Sequence, residues 1–520
     1  MSAGLHTLGR WTADRAVATP GRTAILDTGV AVTYRELEDR ATRLAARLVA
    51  AGYRPGERIA TLSGNSADHV VLFFACAKSG LVLVPLSWRL RAAEVAVQLE
   101  TADPALLVVE EEFGSLAAEA CAQVPMPPAL VRPGRAGLEE AVPAPHRRPA
   151  AAEPGPGRAP GSGVRDDDPV LMPFTSGTEG ASKAVVLTHA NCFWNNLALS
   201  RTLEITSSDV VLAVLPQFHT GGWNIQPLLA WWSGATVVME RTFDAGRVLA
   251  LIGDRRITTL MAVPAQYRML AEHPRFAATD LSSLRLAVVG GAAMPPALMR
   301  AWHARGVPLV QGYGLTEAGP NVLSLPAEDA RDRVGWMGRP YPHVEVAVAD
   351  PVTGRLLEGA ATGELLVAGP SVFAGYFRDP GATARALAGG WLHTGDLVER
   401  DAEGYFRIVD RLKDLFVSGG ENVVPAEVEQ VLTDHPGVAA AAVVGVPDER
   451  WGETGHAFVV PRAGAAVDEA ALREHCQGRL AGFKQPTAYT FVADLPRTGL
   501  EKIARGRLRP PARERTPHGH

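Results

Sequence analysis

The segment Val170-Leu-Met-Pro-Phe-Thr175-Ser-Gly-Thr-Glu-Gly-Ala-Ser-Lys183 decides the reading of this chain. Its first five residues are apolar and read as a buried strand, Val170–Phe174. The strand runs into small and hydroxylated residues and ends on a lysine. Such a loop suits an anion: small residues let the backbone close on it, hydroxyl and N–H groups donate hydrogen bonds, and Lys183 adds charge. It is not a G-x-x-x-x-G-K-[ST] loop, because Ser182 precedes Lys183 and Ala184 follows it. In isolation it also fits a polar surface loop.

Outward from this segment, strands and helices alternate. Thr33-x-x-Glu36 reads as a capping box, followed by Leu37, Ala41, Leu44, Ala45 and Leu48 at helical spacing, with Gly52 as a stop. Arg58–Ser63, Leu81–Leu86 and Ala105–Glu110 read as strands, and Ala67–Ser79 as a buried helix. Beyond Lys183 the expected strands are Val210–Val214, Thr236–Glu240, Leu284–Val289 and Val307–Val310. This rhythm predicts parallel sheets covered by helices. Residues 133–168 hold seven prolines without periodicity and read as a flexible connection. From about Leu412 a smaller unit begins. Pro425–Leu432 and Glu469–Leu480 are its helices, and Val438–Val446 and His456–Val460 its extended segments.

The 520 residues allow about three domains, or one large and one small. A 47% hydrophobic, 21% charged composition is that of a globular protein, and a net charge of −5 excludes the basic footprint of a nucleic-acid binder. Cys76, Cys121, Cys192 and Cys476 are scattered without a CxxC pair, so neither structural zinc nor a disulfide framework is expected. No apolar run approaches the roughly 20 residues that span a bilayer, and residues 1–20 do not read as a signal peptide. A cytoplasmic enzyme without a membrane span is the expectation.

Further stretches carry chemistry. In Gln311-Gly-Tyr-Gly-Leu-Thr-Glu317, Gly312 and Gly314 let Tyr313 lie against a flat ring, Thr316 offers a hydroxyl to a phosphate, and Glu317 suits a cation such as Mg²⁺. His393-Thr-Gly-Asp396 places a carboxylate in a tight loop, fit for a ribose diol. Asp410-Arg-Leu-Lys-Asp through Glu429 and Pro496-Arg-Thr-Gly-Leu-Glu-Lys-Ile503 are charged segments that also fit solvated surface.

Taken together, in this order and spacing, these segments resemble the adenylate-forming (AMP-binding) superfamily: acyl-CoA synthetases, peptide-synthetase adenylation domains and beetle luciferases. The resemblance covers roughly residues 10–506 and includes Leu215-Pro-Gln-Phe-His219, Val289-Gly-Gly-Ala-Ala293, Gly363-Glu-Leu through Gly375-Tyr376, and Val444-Gly-Val-Pro-Asp448. It implies an α/β fold. A large N-terminal domain, residues 1–411, would hold βα subdomains and a distorted β-barrel. A small mobile C-terminal α/β lid, residues 412–520, would turn on a hinge at Lys413.

The resemblance also implies ATP, Mg²⁺ and coenzyme A. Thr175, Ser176, Gly177, Thr178, Glu179, Gly180 and Lys183 would cradle the outer phosphates. Gly291, Ala292, Ala293, Gly312, Tyr313 and Gly314 would frame the adenine. Thr316 would touch the α-phosphate, Glu317 hold the metal, and Asp396 and Arg411 bind the ribose. Lys502 would reach the α-phosphate and acyl oxygen. Gly419, Gly420, Trp451 and Lys484 would contact CoA, and His219 would stand between the acyl pocket and the thiol. His219, Trp223, Asn224, Val263, Pro264, Gly291, Gly314, Ala318 and Gly319 would line a roomy apolar pocket. That pocket fits a bulky apolar or aromatic monoacid, as in secondary metabolism or fatty-acid use.

The chain departs from the family pattern at the phosphate loop and before the lysine. Glu179 stands where Thr or Ser is usual, Ser182 replaces proline, Ala184 replaces glycine, and Glu501 replaces glycine. Three uses of the fold stay open on the residues: complete acyl-CoA ligation, thioesterification of a preformed acyl-adenylate supplied by a separate adenylating enzyme, and loading of a separate carrier protein. A luciferase-like oxygenase does not fit the terminal Pro-His-Gly-His, and a non-catalytic adenylate binder does not fit retention of Lys502, Arg411, Asp396 and Glu317. A hydrolase lacks its G-x-S-x-G elbow. A carboxylate about 6 Å from a phosphate charge, at an effective dielectric near 20, costs roughly 3 kcal/mol. Glu179→Thr is therefore expected to lower the KM for MgATP by about a hundredfold; an unchanged KM in steady-state kinetics contradicts that repulsion.

Overall fold

Apolar runs too short for helices pair as buried strands, and amphipathic segments between them cover the sheets. The computed structural model describes residues 4–132, 142–145, 163–176, 182–418, 421–448, 451–477, 479–497 and 503–510. The chain forms a mixed α/β structure with two units: residues 1–346 with 366–393, and residues 347–365 with 394–520. Most of the expected flexible connection, 133–168, lies outside the described residues.

The larger unit contains two extended sheets. One has nine strands in the order Arg339–Pro340, Leu323–Ser324, Leu309–Tyr313, Leu286–Val289, Thr259–Ala262, Val210–Ala213, Thr236–Met239, Thr23–Asp27 and Val30–Thr33. The pairs from Leu309–Tyr313 through Thr23–Asp27 are parallel. The other sheet is built on the parallel strands Pro169–Leu171, Val82–Pro85, Arg58–Leu62, Leu106–Val109 and Ala129–Val131. Ser182–Thr188 extends it antiparallel. Val82–Pro85 and Leu106–Val109 are buried at every position, as strands covered on both faces must be.

Local chemistry sets the element ends. Thr33 Oγ1 accepts the Glu36 N–H at 3.2 Å and Glu36 Oε2 accepts the Thr33 N–H at 2.8 Å, so the capping box opens the helix Tyr34–Ala50. Ala67–Ser79 is helical as expected, with Gly80 left-handed at φ +71°. The single strand expected over Val170–Phe174 is instead two, Pro169–Leu171 and Phe174–Ser176. Pro173 has no N–H to give a ladder; both pieces pair antiparallel with Ser182–Thr188, and only the first also pairs, in parallel, with Val82–Pro85. Pro308 likewise delays the strand expected at Val307 until Leu309.

The smaller unit holds two sheets. The region expected to form a distorted barrel is an open five-stranded sheet, ordered Leu356–Leu357, Glu345–Ala349, Ala361–Ala368, Leu392–Arg400 and Phe406–Arg411; no closed barrel occurs among the described residues. The second sheet runs Glu421–Val423, Phe416–Ser418, Gly452–Pro461 and Val438–Asp448, with Ala488–Phe491 parallel to Gly452–Pro461. Helices Pro425–Thr433 and Glu469–Gln477 close its core around Val428, Leu432, Leu472 and Cys476. All four cysteines are free thiols, and among the described residues no helix is long and apolar enough to cross a membrane.

The core of the nine-stranded sheet gathers Leu260, Ala287 and Leu309 against helices Pro264–Glu272 and Pro296–Ala304. Trp302 is its largest anchor, fully buried, edge-on to Tyr267 at 5.1 Å and to Phe276 at 4.8 Å. Trp302→Ala is expected to cost about 4 kcal/mol, read as a lower urea midpoint.

Candidate active site

The strand Leu309–Tyr313 leaves the sheet through Gly314, where no side chain fits: a Cβ there would lie 1.5 Å from the Pro320 carbonyl oxygen. The chain then makes a short 3-10 turn, Thr316–Ala318, ended by Gly319 at φ +105°. This turn presents the half-buried Glu317. Glu317 Oε1 accepts the Tyr376 hydroxyl at 2.9 Å and, more weakly, the Thr175 hydroxyl at 3.4 Å. Phe373 N–H donates to the Glu317 carbonyl at 2.8 Å. Burial, then the Glu317 charge, push the Tyr376 phenol well above its usual range, so it remains a donor. Lys183 Nζ lies 5.1 Å from the Tyr376 ring centroid.

Two sequence motifs 142 residues apart thus meet at one carboxylate oxygen. The base of the phosphate loop is closed by pairing of Phe174–Ser176 with residues 182–184, and Ser182 Oγ donates to the Thr175 carbonyl at 3.2 Å. Gly177, Thr178, Glu179 and Gly180 lie outside the described residues. Tyr376 was absent from the expected site residues. It sits in the short strand Gly375–Tyr376, paired with Val185 and Val186, and only that pairing brings it to Glu317.

Gly291, Ala292 and Ala293 follow the neighbouring strand Leu286–Val289. Gly291 is left-handed at φ +81°, and its Cβ position lies 3.5 Å from Val263 Cγ1. Val263 is buried, while Pro264 begins the next helix. Gly312, Tyr313 and Thr316 are all half-buried.

His219 is half-buried in the turn after Pro216, its ring 4.7 Å from Phe218. The next turn approaches this one closely: a Cβ on Gly222 would lie 2.4 Å from the Pro216 carbonyl oxygen. Trp223 and Asn224, expected in the acyl pocket, are both fully buried and occupied with packing. The Trp223 ring stacks on Phe73 at 4.8 Å, and its Nε1 donates to the Gln217 carbonyl at 2.6 Å. Asn224 Oδ1 accepts from Asn196 at 3.0 Å, and its Nδ2 donates to Cys192 Sγ at 3.3 Å. The Asn224 carbonyl accepts Asn195 Nδ2 at 2.7 Å and Asn321 Nδ2 at 3.1 Å. Asn195 Oδ1 in turn accepts the Asn321 N–H at 3.1 Å, just beyond the buried Ala318 and Gly319.

In the smaller unit, Asp396 and Arg411 face each other across paired strands, with Arg411 Nε 2.6 Å from Asp396 Oδ1. The carboxylate is nearly buried, and the guanidinium side chain is 38% exposed, so the pair has an open side. Lys413 is exposed in the 3-10 turn Leu412–Asp414. Lys484 Nζ is tied to both carboxylate oxygens of Glu427 at 2.8 Å. The Trp451 N–H donates to Asp448 Oδ1 at 3.0 Å. Gly419, Gly420, Glu501 and Lys502 lie outside the described residues.

The sequence matches two family descriptions, AMP-binding enzyme over residues 12–377 and AMP-binding enzyme C-terminal domain over residues 427–502. It is 40% identical over 502 residues to the feruloyl-CoA synthase of Amycolatopsis sp., covering 96% of this chain and 98% of that one. It is 37% identical to the indoleacetate–CoA ligase of Aromatoleum aromaticum, covering 96% and 97%. It is 39% identical to the fatty acid–[acyl-carrier-protein] ligase ScoC of Streptomyces coeruleorubidus, covering 97% and 96%. Among solved structures, ATP-bound MatB from Rhodopseudomonas palustris is similar with a TM-score of 0.86 and 32% identity, covering 96% of this chain and 97% of that one.

The close approach at Gly314 has a direct test. Gly314→Ala is expected to destabilise the chain by at least about 2 kcal/mol in urea unfolding. Gly312→Ala, whose Cβ meets Leu323 O at an ordinary 3.5 Å, is the control and should stay near parent stability. Equal effects would show that the loop yields.

Proposed function

The chain belongs to the AMP-binding enzyme family, and from that premise we propose that it joins a bulky apolar or aromatic monocarboxylic acid to CoA through an acyl-adenylate. Two of the relatives are named for acyl-CoA formation, and ScoC for ligation to an acyl-carrier protein; ATP and CoA would be the co-substrates. The observation that carries the reading is the single oxygen of Glu317 shared by Thr175 and Tyr376, which joins the phosphate loop to the Thr316–Glu317 turn.

In the first half-reaction a carboxylate oxygen of the acid attacks the α-phosphorus of ATP. The new P–O bond forms as the bond to the β-phosphate breaks and pyrophosphate leaves. In the second, the CoA sulfur attacks the acyl carbon, the thiol proton is lost, and the C–O bond to AMP breaks. Lys183 and the Thr175 hydroxyl would hold the outer phosphates, and Thr316 the α-phosphate. Asp396 and Arg411 would take the ribose. Lys502 would serve the first half-reaction, and rotation about Lys413 would exchange it for the CoA-facing Gly419 and Gly420. His219 would shield the adenylate from water until the thiol arrives.

Both Glu317 hydrogen bonds fall on Oε1. That fits Mg²⁺, which binds through one or two carboxylates and substrate phosphates. Bound there, it would neutralise charge building on the phosphates.

The acyl pocket would rest on His219, Trp223, Asn224, Val263, Pro264, Gly291, Gly314, Ala318 and Gly319, with Trp223 and Asn224 also tied into packing. Small residues and an apolar wall suit a large ring. The names of the ferulate and indoleacetate relatives support the same class. ATP and CoA as co-substrates suit a cytoplasmic location. Glu179 and Glu501 favour a second reading, in which the enzyme takes a preformed acyl-adenylate, which lacks the outer phosphates, from a separate adenylating enzyme.

The test is a paired assay over a panel of aromatic and fatty acids. One arm receives acid, MgATP and CoA; the other receives synthetic acyl-adenylate and CoA. Acyl-CoA in both arms, best with aromatic acids, is expected. Product from the adenylate alone replaces the proposal with the second reading. Transfer to a carrier-protein phosphopantetheine but not to CoA overturns the choice of thiol.

A further inference from the structure

Arg505 is a side chain that the proposed mechanism leaves unused, and it is tied to several partners. Its side chain is 18% exposed, and its guanidinium meets three carboxylates. Nε and Nη2 form a fork on Glu429, at 2.8 Å to Oε1 and 2.6 Å to Oε2. Nη1 donates to Asp414 Oδ2 at 3.0 Å and lies 3.4 Å from Asp410 Oδ1.

Two of these carboxylates are themselves held by backbone N–H groups. Glu429 lies on the helix Pro425–Thr433, and its Oε1 also accepts the Val443 N–H at 2.8 Å. Asp410 Oδ2 accepts the Ala426 N–H at 2.8 Å. Asp410 and Asp414 flank Arg411, Leu412 and Lys413, so the guanidinium clamps the turn read as the hinge. On its other side, Arg505 follows a closed loop base. Ile503 bridges Arg497, and the Ala504 N–H donates to the Pro496 carbonyl at 2.8 Å. Lys502 lies three residues before Arg505.

We propose that Arg505 is a positioning residue: it ties the chain that follows Lys502 to the hinge turn, and so serves adenylate formation rather than thioester formation. The proposal rests on the assignment of Lys502 to the first half-reaction. A planar fork is what the arrangement needs. Lysine would keep the charge but lose the two-point contact with Glu429.

The test separates the half-reactions. In Arg505→Lys, adenylate formation from acid and MgATP, followed by pyrophosphate release, is expected to fall about a hundredfold, the scale of a misplacement near 1 Å. Thioester formation from supplied acyl-adenylate and CoA should change less than about twofold. Asp414→Asn, the mildest loosening of the cluster, should shift the same ratio in the same direction, and it decides the matter if Arg505→Lys does not fold. Equal losses in both half-reactions, or no loss in either, overturn the proposal. Lys502→Ala separates the two layers of inference. If it loses adenylate formation while the Arg505 and Asp414 variants keep it, only the present proposal falls. If Lys502→Ala keeps adenylate formation, the assignment of Lys502 falls and takes the proposal with it.

Discussion

Parallel strands deliver their carboxyl ends to one edge of a sheet, and that constraint organises the larger unit. Val210–Ala213, Thr259–Ala262, Leu286–Val289 and Leu309–Tyr313 all run the same way. The stretches that follow them are Leu215–His219, Val263-Pro264, Gly290–Ala293 and Gly314–Glu317. Residues spread over more than a hundred positions of sequence therefore emerge side by side, where open α/β sheets take their ligands. The helices and the buried core behind, with Trp302 at its centre, hold these strand ends in register.

Within that edge, electrostatics and space do different work. Glu317 is half-buried, and a carboxylate leaving water needs donors. Tyr376 supplies one, kept protonated by the same burial and charge. Space is rationed by glycine: at Gly314 and Gly222 a neighbouring carbonyl already occupies the place of a side chain. These glycines serve close approach of backbone to backbone, a role distinct from framing a ring.

What was legible in the sequence was local. The capping box at Thr33, the helix Ala67–Ser79 and the buried strands follow from hydrogen bonding and periodicity within a few residues. The expected phosphate loop and the Tyr313–Glu317 stretch stand out as motifs because the chemistry expected of them is written in consecutive residues. Three features were not. The break at Met172-Pro173 falls where pairing with Val82–Pro85 ends and only Ser182–Thr188 continues as partner. Tyr376 reaches Glu317 only through a strand pairing nearly two hundred residues back along the chain from it. The packing partners of Trp223 and Asn224, which are Phe73, Cys192, Asn195 and Asn196, leave no local signal. The cluster on Arg505 had a trace in the charged run from Asp410 to Glu429, but nothing in that run names the distant arginine that unites it.

The asparagine network has a consequence for how substrate range can change. Asn195, Asn224 and Asn321 share one another's donors and acceptors in a buried place. Asn195 is the centre of the set: replacing its side chain leaves the Asn321 N–H and Nδ2 without their acceptor, so effects at Asn195 and Asn321 do not add, whereas the Asn224 acceptor is a backbone carbonyl that survives a side-chain change. Val263 stands outside that network and meets the Gly291 turn at van der Waals distance. Within the proposed acyl pocket Val263 can change by itself, whereas a change at Asn195 carries Asn321 with it.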